Sequence, residues 1–235
     1  MKLISWKAWL KPMGNIAVRF VRLFLGYFIY AIGIVMTINA SLGLAPWDVL
    51  HQGLTNILPI TMGQGSIAIG FMVILVNVIL KENIGWATVF NMIFIGIFMD
   101  LLMLNNLVPV FSNLFLRFVT MLLGILVSGY GGFIYIGTGF GIGPRDGLMV
   151  ALTRKTGKSI RLVKNTTEII VIVIGFFLGG SVGIGTAIMS LAGGYLFQFA
   201  FKTVGFNVTE VKHRYIMDDI KFIKERIMKT KEGEA

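Results

Sequence analysis

The chain has 235 residues, 56% of them apolar and only 14% charged, and a mean hydropathy of +0.83. A soluble domain carries about a quarter charged residues, and a single core of this size cannot enclose so many apolar side chains, so a water-soluble globule is excluded. The lack of cysteine excludes disulfide frameworks and thiolate metal sites, and the +10 formal charge is spread around apolar stretches rather than gathered with aromatics into a nucleic-acid surface.

Residues 1–18 form a basic segment with Lys2, Lys7 and Lys11, and Arg19 and Arg22 precede the first apolar stretch. That stretch runs to about Ala40, too long for a signal-peptide core, and reads as a membrane span. Six spans are predicted, near 20–40, 64–80, 85–105, 118–138, 162–178 and 183–201. Two shorter segments, Trp47–Leu58 and Arg145–Thr156, are predicted as re-entrant or interfacial helices, because charge leaves the second with only Gly147–Thr153 uncharged. The tail, residues 203–235, places Ile216, Ile220, Ile223 and Ile227 at helical spacing among lysines. It reads as an amphipathic helix on anionic lipid headgroups, or as a docking helix for a protein.

The chain repeats itself at an offset of 98 residues. Arg19, Gly26 and Gly33 fall on Arg117, Gly124 and Gly131. Gly43, Pro46, Asp48 and Thr55 fall on Gly141, Pro144, Asp146 and Thr153, and Gly85, Thr88 and Gly96 fall on Gly183, Thr186 and Gly194. Polar, Gly and Pro matches at one offset are not the product of shared hydrophobicity. The membrane part therefore divides into repeats at 19–104 and 117–202, each with three spans and a short helix.

Three is odd, so the two repeats are expected to cross in opposite directions as inverted-topology repeats. Lysine and arginine give an independent reading. With both termini cytoplasmic, residues 41–66 lie outside and hold no lysine or arginine, whereas the matching second segment lies inside and holds Arg145, Arg154, Lys155, Lys158, Arg161 and Lys164. Only Arg117 falls on the outer edge, as the positive-inside rule asks. Two further spans at the short segments, giving parallel repeats, would also leave few basic residues outside; length is the argument against them.

Each short helix opens on a matched motif, Gly43-Leu44-Ala45-Pro46-Trp47-Asp48 and Gly141-Ile142-Gly143-Pro144-Arg145-Asp146. Glycine permits the turn, proline suits the first helical position, and an acid near a helix start accepts unpaired N–H groups. One reading brings Asp48 and Asp146 together in a site for a substrate or coupling ion; the other makes each a helix cap. Glu168 lies within the fifth span, one turn from Lys164, and is either that lysine's ion-pair partner or a proton or cation site. Asp100 is expected to reach the headgroups, Asn77 and Gln198 to hydrogen-bond between helices, and Trp6, Trp9, Trp47 and Trp86 to anchor at the interfaces.

The runs SLGLAPWDVLHQGL and GTGFGIGPRDGLMVALTRKTGKSIRLVKNTTE resemble the YczE branch of the YczE/YyaS/YitT family of bacterial membrane proteins. The resemblance covers the chain apart from its basic tail and implies a bacterial plasma-membrane protein. The candidate site comprises Gly43, Pro46, Asp48, Gly141, Pro144, Arg145, Asp146 and Glu168. Inverted repeats and paired acids favour a small-solute or ion transporter; sparse intramembrane polarity leaves a non-transporting accessory or regulatory protein as the alternative. No nucleophile and base pair, metal-ligand cluster or phosphate loop points to an enzyme or a cofactor. The expected partners are lipid and a small molecule, and a homo-oligomer is compatible with the sequence.

Overall fold

The structure is a computed structural model that describes residues 16–233. The expectations for Lys2, Trp6, Lys7, Trp9 and Lys11 lie outside the described residues. All regular structure among those residues is helical: α1 (Ile16–Asn39), α2 (Pro46–Ile57), α3 (Met62–Ile79), α4 (Trp86–Leu104), α5 (Leu114–Ile136), α6 (Pro144–Thr156), α7 (Ile160–Phe177), α8 (Ile184–Thr203), a 3-10 turn at Val208–Glu210, and α9 (Ile216–Gly233).

Five helices, α1, α3, α4, α5 and α8, are long and apolar enough to cross a membrane. The fifth predicted span forms as α7, an 18-residue helix that carries Arg161, Lys164 and Glu168 and falls outside that apolar class. The 12-residue α2 and 13-residue α6 extend about 18–20 Å, short of the roughly 30 Å of hydrocarbon. Their starts follow from the motif: Gly43 and Gly141 take φ of 104° and 120°, and Pro46 and Pro144 open the helices.

Helices α1 and α5 form the central pair and run antiparallel. Gly26 packs on Gly131 and Tyr135, and Gly33 on Gly124 and Ser128. A Cβ on Gly131 would stand 2.5 Å from the Tyr30 nitrogen, so glycine is what lets the two backbones close. The Arg19 Nη2 donates to the Thr138 carbonyl at 2.6 Å, and the Arg117 Nε to the Ala40 carbonyl at 2.7 Å, so each helix start closes the other's end. Helix α4 lies parallel to α1, with Phe24 against Phe94 and Phe28 against Phe98, and the Tyr27 hydroxyl donates to the Ala87 carbonyl. The core centres on Leu23, Tyr27, Ala31, Val35 and Met99, all fully buried.

Other contacts also come in pairs 98 residues apart. Asn56 donates to the Gly179 carbonyl as Arg154 donates to that of Lys81. Gly185 N–H donates to Leu42 as Ala87 N–H donates to Phe140. Helix α2 packs on α7 as α6 packs on α3, and α1 on α4 as α5 on α8. One pair breaks the pattern: α3 and α4 pack closely, whereas α7 and α8 scarcely touch.

The tail is held at its start. Ile216 N–H donates to the Ile84 carbonyl, Arg214 pairs with Asp219, and the Trp86 indole donates to Asp219 at 2.9 Å. Trp86 thus anchors α9, in addition to any interfacial part.

Candidate functional site: a two-sided cavity between the motif helices

Helix α2 presents Asp48 and His51 one turn apart, and α6 presents Arg145 and Asp146 toward them. The Arg145 Nη2 lies 3.0 Å from the His51 Nε2, and the Asp48 Oδ1 lies 3.1 Å from the His51 Nδ1. A guanidinium only donates, so Nε2 accepts and the neutral ring carries its proton on Nδ1, facing Asp48. The Nδ1 and Oδ1 atoms are close without being aligned for a hydrogen bond, so that contact is electrostatic. His51 is fully buried and Asp48 nearly so. The Arg145 guanidinium also lies over the Trp47 ring, 5.1 Å from its centroid.

Neither Asp48 nor Asp146 accepts a hydrogen bond from a helix N–H among the described residues; Ala45 and Gly143 occupy the cap positions. The geometry therefore departs from side-chain capping.

Two cavities meet at this cluster, and Tyr30, Ile34, Arg145 and Asp146 line both. The larger has a volume of about 320 Å³ and runs toward α7 and α8, past Lys164, Glu168, Met189 and Gly193. The smaller, about 60 Å³, runs toward α3 and α4, past Ser66, Gly70, Asn91 and Ile95. These two sets of four are the same positions in the two repeats, 98 residues apart. The size difference has a local cause. Gly96 packs against Gly63 and Ile67, while the equivalent Gly194 has open space beside it, as does Gly193.

The α3 and α4 ends are further tied by Asp100, which accepts from the Thr61 hydroxyl at 2.5 Å and the Gly63 N–H at 2.8 Å. Asp100, expected at the headgroups, is also an interhelical acceptor, since Thr61 and Gly63 face it across the hairpin. Asn77 does bond between helices, to the Pro144 carbonyl at 2.8 Å, whereas Gln198 lines a groove beside α7.

Of the residues expected at the site, Pro46, Asp48, Arg145, Asp146 and Glu168 line the larger cavity, and Pro144 the smaller. Glu168 pairs with Lys164 at 2.6 Å. Gly43 and Gly141 stand apart, packed on the starts of α8 and α4. His51 was missed. Its helical spacing from Asp48 was a usable signal, but its repeat counterpart is Met149, so comparing the halves passed over it.

A family profile described as a family of unknown function, DUF6198, matches residues 17–202, which takes in all eight helices that build the cavity. The chain belongs to the DUF6198 family. It is 32% identical over 190 residues to the uncharacterized membrane protein YczE of Bacillus subtilis, covering 79% of this chain and 86% of that one. An uncharacterized protein of Haemophilus influenzae is 36% identical over 171 residues, 73% of this chain and 78% of its own. YyaS of Bacillus subtilis is 27% identical over 176 residues, 73% and 87% of the two chains. These relatives, the family match and the five apolar helices make the chain a multi-pass membrane protein of the YczE group. No solved structure matches it.

Proposed function

We propose that the protein is a small-solute transporter of the bacterial cell membrane, built from two inverted repeats that take turns opening one central site. In this reading six helices cross, α7 among them, both termini are cytoplasmic, and α2 and α6 enter from opposite faces without crossing. Antiparallel packing of α1 and α5, with contacts paired at the repeat offset, supports the inversion.

The observation that carries the reading is the pair of equivalent cavities, about 320 and 60 Å³, that share Arg145 and Asp146. A symmetric pair of pathways with one wide and one narrow is what a carrier resting in one of two mirror states contains. The basic residues Arg161 and Lys164 on α7, beside the wide cavity, support a cytoplasmic opening by the positive-inside rule, and in this reading the state is inward-open. Charged groups are costly inside a membrane unless they pair or line a polar route, and here they gather on the cavity.

The inversion is tested with single cysteines at Ile57 and Lys155, equivalent and exposed positions in a cysteine-free chain. An impermeant thiol reagent on intact cells should label Ile57→Cys and leave Lys155→Cys for inside-out vesicles. Labelling of both from one face would remove the inversion and with it the carrier.

A further inference from the structure

The charges around the central cavity are not all matched. Glu168 is neutralised by Lys164, and Asp48 faces the Nδ1 proton of His51. Arg145 is in none of the ion pairs among the described residues and directs one donor at His51. Asp146 accepts no hydrogen bond among them and lines both cavities. One guanidinium with donors to spare and one carboxylate with free lone pairs thus sit on adjacent residues at the point where the two cavities meet.

We propose that the site binds a small zwitterion of amino-acid size, its carboxylate on Arg145 in place of the His51 Nε2 and its ammonium on Asp146, and that His51 takes up a proton when it is displaced. This rests on the carrier reading and names its substrate class. A guanidinium prefers a carboxylate, which takes two parallel hydrogen bonds, over a single imidazole nitrogen. The imidazole therefore serves as the internal substitute for the ligand, keeping Arg145 satisfied while the site is empty. A cation alone would leave Arg145 unmatched, and an anion alone would bring Asp146 a like charge. The larger cavity, about 320 Å³, lies at the small end of the range for ligand sites.

The proton follows from what remains after displacement. Nε2 is then a buried lone pair without a partner, while Nδ1 still faces Asp48. The charged groups in contact with His51 are Asp48 on its own helix and Arg145 on α6; Asp146, Tyr30 on α1, and the neutral Lys164 and Glu168 pair on α7 line the adjoining cavity. Helix α3 contains no titratable residue, and α8 lines the cavity with Met189, Gly193, Gly194 and Phe197. Once the ligand carboxylate offsets Arg145, Asp48 is the dominant charge on the ring, and a proton from solvent completes a neutral set. Binding and protonation are then linked, and affinity falls by up to about tenfold for each pH unit above the His51 midpoint.

The full chain carrying His213→Gln, reconstituted in lipid nanodiscs with ring-labelled histidine, gives His51 as its single imidazole NMR signal. Without ligand the ring should be neutral and protonated on Nδ1. Glycine, or the larger zwitterion leucine, should convert it to the doubly protonated form; acetate should do so less, and methylammonium not at all. Arg145→Gln should abolish the response. His51→Gln, which keeps an acceptor for Arg145, should retain thermal stabilisation by the zwitterions and lose its pH dependence. A His51 signal indifferent to both zwitterions, a response to methylammonium equal to theirs, or pH-dependent stabilisation of His51→Gln would overturn the proposal. Opposite-sided cysteine labelling with an indifferent His51 removes this proposal alone. A responsive His51 with labelling from one face removes the carrier reading alone.

Discussion

Two glycines at matched positions should have opposite effects when each gains a methyl group. A Cβ on Gly96 would stand 2.5 Å from the Gly63 carbonyl oxygen and 2.6 Å from the Ile67 side chain. The oxygen belongs to a helix backbone and cannot turn aside, so α3 and α4 must separate. Overpacking of this kind costs about 1–3 kcal/mol. At Gly194 nothing lies within 4 Å, so the same change costs the observed state nothing in packing. In the opposite state of the proposed carrier the two helix pairs would exchange roles, and the penalty would move to Gly194→Ala. Gly96→Ala should therefore shift the balance by about 5–150-fold toward the outward-open state, and Gly194→Ala by a similar factor toward the inward-open state. The readout is a cysteine at Asn165, the exposed counterpart of Ile67 on the α7 side of the gap. Its labelling in inside-out vesicles should slow in Gly96→Ala and hold or quicken in Gly194→Ala, with thermal stability lowered only by the first. Equal effects of the two substitutions on labelling and stability would refute the exchange of roles.

Asp48→Asn and Asp146→Asn should leave membrane abundance unchanged, since each carboxylate is free of backbone caps, yet fail to restore the phenotype of a deletion strain; full rescue by both would show that neither charge matters. Asp100→Ala leaves the Thr61 hydroxyl and the Gly63 N–H without their acceptor, at a cost of about 1–3 kcal/mol, and should lower the unfolding temperature, with Asp100→Asn milder. Burial holds the His213 imidazole below its ordinary value of 6.5, so the folded chain resists a proton that the unfolded chain accepts. Stability should thus fall as pH drops below about 6.5, and His213→Gln should flatten that dependence in thermal unfolding measured between neutral and mildly acidic pH.

The helices were legible because hydropathy and turn chemistry act locally. The two short helices begin at the prolines of the motif, and the long ones end within a few residues of the predicted boundaries. Helix α7 was harder to class, because Arg161, Lys164 and Glu168 dilute its hydropathy while the Lys164 pair neutralises Glu168. The motif acids are brought onto one cavity by packing between the halves. His51 escaped because its value depends on Arg145, 94 residues away, and its own repeat partner is apolar. The acceptor role of Asp100 was hidden for a similar reason: its donors Thr61 and Gly63 are close only after the α3 and α4 hairpin forms. The unequal cavities lay beyond the sequence altogether, since the repeats predict equivalence and the packing of α3 on α4, unmatched by α7 on α8, breaks it.

The most direct test of the central claim is the sidedness of one residue at the divide between the cavities. Tyr30 lines both, on the central helix α1. A cysteine there, as Tyr30→Cys, should react with an impermeant reagent applied to intact cells and, in separate samples, to inside-out vesicles. Reaction on one side should be lost after prior blocking from the other. Labelling from a single face, whatever the conditions, would contradict an alternating site and leave the cavity as a one-sided pocket.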